Sequence, residues 1–122
     1  MTTILVIEDD ADLRLTLKRL LQSHDFNVLD ASDGRKGLNA CGEHDVDLVI
    51  TDIFMPEVEG LQTIITLKEN FPMIKVIAIS GGGKMQYTEV LESTVEFGAD
   101  RAFKKPVDMD VLLDALNQLL KN

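Results

Sequence analysis

An α/β fold is predicted for this 122-residue chain: a doubly wound, five-stranded parallel sheet of order 2-1-3-4-5 with helices on both faces. Three observations predict it. Short runs of β-rich apolar residues alternate five times with stretches of helical periodicity. Those runs are nearly continuously apolar rather than alternating, as expected for strands buried on both faces of a parallel sheet. Crossovers between parallel strands are right-handed in nearly all cases, which leaves few ways to wind such a chain.

The first strand is read at Ile4–Ile7, and Leu13, Leu17, Leu20 and Leu21 then form a helical stripe at i, i+4, i+7 and i+8. Asp10 is placed to cap that helix, where its charge also suits the helix dipole. A second strand at Val28–Ala31 precedes a shorter helix marked only by Leu38 and Cys41. The third strand, Leu48–Thr51, leads to a helix marked by Leu61, Ile64 and Ile65, which should stop near Pro72 because the residue before proline avoids helical geometry. Val76–Ile79 is the fourth strand, followed by a helix marked by Val90, Leu91, Thr94 and Phe97 and closed by Gly98. A weak fifth strand at Ala102–Phe103 leads to a helix capped by Asp108, with Val111, Leu112, Ala115, Leu116, Leu119 and Leu120 as its stripe. Five strand–helix pairs of this kind make a (βα)5, flavodoxin-like sheet, in which ligands bind beyond the carboxyl ends of the strands.

Composition narrows the function. Hydrophobic residues make up 45% and charged residues 27%, which suits one ordered domain over residues 1–122. A net charge of −9 argues against nucleic acid or an anionic membrane as a direct partner, since both need Lys and Arg. Five Phe, one Tyr and no Trp make a poor base-stacking platform. No apolar run approaches the ~20 residues that span a bilayer, and no leader pattern is present, so a cytoplasmic location is expected. Cys41 is the single cysteine, which excludes an internal disulfide and fits a reducing compartment; a small buried hydrophobe on a helix is its expected role.

The strand ends carry the chemistry. Strand one runs from Ile4, Leu5, Val6 and Ile7 directly into Glu8, Asp9 and Asp10, three adjacent acids that repel one another and resist dehydration. Strand three places Asp52 after Thr51, strand four ends on Ser80, and strand five leads through Lys104 to Lys105. Each residue alone has a plain explanation as a helix cap, a turn hydroxyl or a solvated charge. Their convergence on one edge is what independent capping does not require.

Taken in order, "VIEDD", "TDIFMPEVEG", "ISG" and "KKP" resemble the receiver domain of two-component response regulators along essentially the whole chain. The resemblance implies that Asp52 is the phosphoryl acceptor, that Glu8 and Asp9 are an acidic pair serving a metal, that Ser80 contacts the phosphoryl group and that Lys105 is its cationic partner. All ligands are then hard oxygens, which points to Mg²⁺ with Mn²⁺ as a substitute. Direct ligation is expected from Asp9, Asp52 and the backbone carbonyl of Phe54, with Glu8 acting through water. Bound metal would offset the repulsion among the clustered acids. The resemblance further implies a cis Lys105–Pro106 bond, with Pro56 starting the turn into helix three.

The function so implied is a phosphorylation-switched signalling domain rather than a turnover enzyme. Its donor would be a phosphohistidine on a sensor histidine kinase or a histidine phosphotransfer protein, and its output an unidentified downstream protein. The kinase is expected to dock near Ala11 and Leu13 and on the Pro106–Val107 loop, which border the site. The alternative is a pseudo-receiver that keeps the fold as an interaction module.

Two departures from the family pattern stand out. Ala102 occupies the position, three before the lysine, where receivers usually carry a switching Tyr or Phe, and Phe103 should face the opposite side of the strand. Gly81, Gly82 and Gly83 open a long segment after strand four, so that loop and helix four are expected to carry more of the conformational response. Phe54 and Gly82 are expected to flank the path of an attacking water.

Other readings fit worse. "GGGK" fails as a Walker loop, because Ala78 stands six residues before Lys84 and Met85 follows it. "DADLR" resembles the opening of haloacid-dehalogenase-type phosphatases, but Arg14 breaks its last position. A flavin site would want a hydroxyl-rich loop after strand one, where this loop is acidic.

Overall fold

The computed structural model describes residues 2–53, 59–80 and 98–121. Among them, five strands form one parallel sheet of order β2-β1-β3-β4-β5: β1 Thr3–Ile7, β2 Asn27–Ala31, β3 Leu48–Asp52, β4 Lys75–Ser80 and β5 Arg101–Lys104. The four described helices are α1 Ala11–Ser23, α2 Gly34–Glu43, α3 Glu59–Asn70 and α4 Met109–Leu120. The helix expected from Val90 to Phe97 lies outside the described residues, as do Phe54, Pro56 and Gly81 to Gly83. No described helix is long and apolar enough to cross a membrane.

Why the strands read as unbroken apolar runs is visible in the packing. Ile4, Val6, Leu48, Ile50, Ile77 and Ile79 pack with Leu17 and Leu21 of α1 and Leu112 and Leu116 of α4. Leu5, Ile7, Val49, Val76 and Ala78 face the other way, against Cys41 of α2 and Ile64 and Leu67 of α3. Successive residues of a strand thus feed two cores, and every side chain from Ile4 to Ile7 is buried. At about 25 cal/mol per Å² of apolar surface removed from water, these two layers supply the main drive for folding. Phe103 packs on the α1/α4 side and Ala102 on the α2/α3 side, as the alternation of side chains along a strand predicts.

Local signals set the helix ends. Asp10 accepts from the Asp12 and Leu13 amides at 2.9 and 3.2 Å, and Asp108 accepts from Asp110 and Val111 at the same distances. α3 ends at Asn70, two residues before Pro72. The α2 helix is the least conventional: its buried stripe is Gly34, Gly37 and Cys41. A Cβ on Gly37 would lie 2.3 Å from Ile7 Cδ1, so glycine lets the helix rest directly on β1. Cys41 is buried as expected, with its thiol pushed up to about 11 by burial. On α4, Val111 departs from the expected stripe and is 46% exposed.

Candidate functional site

Parallel registration brings the strand ends level. Ile7 pairs with Thr51, Asp52 with Ile79, and Ser80 with Lys104. The chain therefore delivers Glu8, Asp52, Ser80 and Lys105 to one edge although they are far apart in sequence. Glu8, Asp52 and Ser80 are buried, while Asp9 is exposed at the rim. One carboxylate oxygen from each of Glu8, Asp9 and Asp52 can be chosen so that all three lie within 4.8 Å of one another.

Among the described residues, one ammonium reaches into this group. Lys105 Nζ donates to Asp52 Oδ2 at 3.0 Å and lies 3.1 Å from Glu8 Oε1, the latter as an ion pair without hydrogen-bond alignment. The Lys105 backbone N–H donates to the Ser80 carbonyl at 2.8 Å, and the Lys105–Pro106 bond is cis. Glu8 is held at both ends: its N–H donates to the Ala31 carbonyl at 3.0 Å, and its Oε2 accepts the Asp10 N–H at 3.1 Å. Among the described residues, the buried Ser80 hydroxyl has no hydrogen-bond partner.

The electrostatics are those of a site short of positive charge. Burial pushes the Glu8 carboxyl up to about 7; the Asp52 charge adds to this, while the Asp10 amide and Lys105 oppose it. Burial pulls Lys105 down, but its hydrogen bond to Asp52, its pairing with Glu8 and the charges of both outweigh that and leave the ammonium above its ordinary value. Among the described residues, Lys105 pairs with two of the three clustered carboxylates, Glu8 and Asp52. An all-oxygen donor set with excess negative charge and, among the described residues, a Glu8 oxygen lacking a well-aligned donor and an unpartnered Ser80 hydroxyl on the adjoining strand end fit a hard divalent cation such as Mg²⁺.

The geometry brings together Glu8, Asp9, Asp52 and Lys105, with Ser80 on the adjoining strand end, and it gives Asp10 to helix capping. Phe54, expected to offer its carbonyl, lies outside the described residues. A further residue enters that the periodicity did not single out: Arg14 Nη1 donates to the Glu8 carbonyl at 2.7 Å while its Nε lies 3.4 Å from Asp30 Oδ2. On an apolar-stripe reading Arg14 is only a surface position of α1.

Comparison with known proteins gives the family. The response regulator receiver domain family model matches residues 4–117. The chemotaxis protein CheY of Bacillus subtilis is 31% identical over 118 residues, which cover 96% of each chain. A cyclic di-GMP phosphodiesterase of Thermotoga maritima is 29% identical over 98% of this chain, which spans only 31% of that protein's length. The response regulator TrrA of Thermotoga maritima, crystallised in complex with Mg²⁺–BeF, superposes with a TM-score of 0.84 at 28% identity, covering 98% of this chain and all of that one. The chain belongs to the response regulator receiver domain family.

Proposed function

We propose that residues 1–122 act as one phosphoacceptor domain in which Asp52 receives a phosphoryl group from a histidine kinase or a histidine phosphotransfer protein. The observation that carries this reading is the Asp52 carboxylate, 3% exposed at the end of β3, with Lys105 at 3.0 Å and the Glu8 and Asp9 carboxylates beside it. A buried acid so placed is a poor stabilising element and a good nucleophile.

In the forward step an Asp52 oxygen attacks phosphorus, the P–N bond of the phosphohistidine breaks, and the departing imidazole takes a proton from solvent. The product is an acyl phosphate on Asp52. Lys105 holds a phosphoryl oxygen in place of the Asp52 oxygen it now contacts, and the Ser80 hydroxyl, which lacks a partner among the described residues, donates to another. In the separate hydrolytic step water attacks phosphorus, the P–O bond to Asp52 breaks to restore the carboxylate, and inorganic phosphate leaves as the water gives up a proton to solvent. When bound, Mg²⁺ or Mn²⁺ supplies positive charge for the phosphoryl oxygens; Asp9, Asp52 and the Phe54 carbonyl would hold it directly and Glu8 through water. The domain modifies itself and then signals to a downstream protein, rather than turning over a free metabolite. A cytoplasmic setting belongs to the same reading, since Cys41 is a buried free thiol.

Incubation with acetyl phosphate and Mg²⁺ followed by intact mass measurement tests the proposal. The native chain should gain one phosphoryl group, and Asp52→Ala should gain none. A chain that stays unmodified, or a variant that is still modified, would refute it.

A further inference from the structure

We propose that Arg14 is a positioning residue that sets the affinity of the acidic cluster for its divalent cation, a role that rests on the metal-site reading above. Arg14 touches none of the three cluster carboxylates through a hydrogen bond or ion pair among the described residues; it donates from Nη1 to the backbone carbonyl of Glu8 at 2.7 Å. That carbonyl belongs to the rigid peptide plane joining Glu8 to Asp9, so holding its oxygen restricts the torsions on either side of the plane. Those torsions decide how the Glu8 and Asp9 side chains diverge, and hence whether their oxygens face a common point with Asp52.

The guanidinium is itself held from the far side. Its Nε lies 3.4 Å from Asp30 Oδ2 on β2, and Lys18 Nζ lies 3.6 Å from the other Asp30 oxygen. Arg14 therefore ties the first turns of α1 to the end of β1 and to β2 across one side chain. The peptide preceding Glu8 is fixed by the bond from its N–H to Ala31, and the Asp10 amide is fixed by Glu8 Oε2. Arg14 supplies the restraint on the plane between them. Only the planar fork of arginine can serve a carbonyl and a carboxylate from one rigid group; a lysine ammonium on a flexible stem holds them less firmly.

The sign of the effect separates positioning from charge. A guanidinium beside a cation site repels the cation, so if Arg14 acted through charge alone, Arg14→Met would tighten Mg²⁺ binding. As a positioning residue its removal must loosen binding; outer partners of metal ligands typically contribute on the order of 10-fold or more in affinity. Methionine keeps the apolar stem, so packing on α1 is preserved.

The test measures Mg²⁺ affinity by isothermal titration for the full chain, Arg14→Met and Arg14→Lys, with amide hydrogen exchange at Asp9 and Asp10 in metal-free protein. Expected are Mg²⁺ binding weakened roughly 10-fold in Arg14→Met and less in Arg14→Lys, and faster exchange at both amides without metal. If Arg14→Met does not fold, Arg14→Lys decides by the same two readouts. Native Mg²⁺ binding with unchanged or tighter binding in the decisive variant overturns this inference alone. A native chain that takes no Mg²⁺ overturns the metal-site reading and this inference with it.

Discussion

The two ends of the sheet use aspartate in opposite ways. At the amino-terminal end, Asp47 and Asp100 each stand immediately before a strand and each closes a two-point ring with the neighbouring strand. The Asp47 N–H donates to the Thr3 carbonyl at 2.9 Å and its Oδ2 accepts the Thr3 N–H at 2.8 Å. The Asp100 N–H donates to the Val76 carbonyl at 2.7 Å and its Oδ2 accepts the Val76 N–H at 2.8 Å, with Lys68 3.6 Å away. At the carboxyl end, by contrast, Glu8, Asp9 and Asp52 cluster together, and Lys105 pairs with Glu8 and Asp52. Carboxylates at one end satisfy backbone donors and stabilise the fold. Those at the other are gathered against their own repulsion, and that cost to stability is what leaves them available for chemistry.

Removing an acid should therefore have opposite signs at the two ends, and the largest effect is expected at Glu8. Its carboxyl is raised from 4.5 to about 7 in the folded state, so its contribution is fully present below pH 4.5 and is lost as pH climbs through about 7. In metal-free protein above pH 8, Glu8→Gln should be more stable than the native chain by on the order of 2–3 kcal/mol in chemical denaturation. Near pH 4 the two should converge. Equal stability at all pH values would mean that the site carries no such cost.

Asp100→Ala should act the other way, costing about 2 kcal/mol, because the Val76 N–H loses a charged acceptor and Lys68 loses its partner. Asp47→Ala, at a more exposed position, should cost about 1 kcal/mol through the Thr3 N–H. Neither should change Mg²⁺ affinity. A variant at this end that stabilises the protein would erase the contrast between the two ends.

The smallest expected effect concerns metal and protons together. Mg²⁺ binding competes with the proton on Glu8, so affinity should rise with pH and level off above about 7. Isothermal titration across this range measures it, and a flat profile would remove Glu8 from the ligand set. In Glu8→Gln the profile should flatten, with weaker binding throughout. Addition of Mg²⁺ should then raise the melting temperature of the native chain more than that of the variant, reversing part of the metal-free order.

Much of this was legible from residues alone. The runs Ile4–Ile7 and Leu48–Thr51 are strands because unbroken apolar stretches of that length are buried on both faces, and both appear as β1 and β3. Asp10 and Asp108 are caps because a short acidic side chain before an apolar period satisfies free amides. The α2 helix was faint because its buried stripe is Gly34, Gly37 and Cys41, and periodicity counts side chains that glycine does not have. Val111 matched the period of α4 yet is 46% exposed, since a stripe fixes a face only to within a residue or so.

Among the described residues, the sequence by itself determined which segments are strands and helices, and that acids, a hydroxyl and a lysine fall at strand ends. Those are consequences of local period and of residues that begin or end elements. Only the tertiary structure decided that Lys105 lies between Asp52 and Glu8, that Glu8 is raised to about 7, and that Arg14 grips the Glu8 carbonyl. It also decided that Asp47 and Asp100 cap neighbouring strands. The reason is physical: charge, burial and hydrogen bonding depend on which atoms from distant segments become neighbours, and parallel registration across the sheet sets that only once the chain is folded.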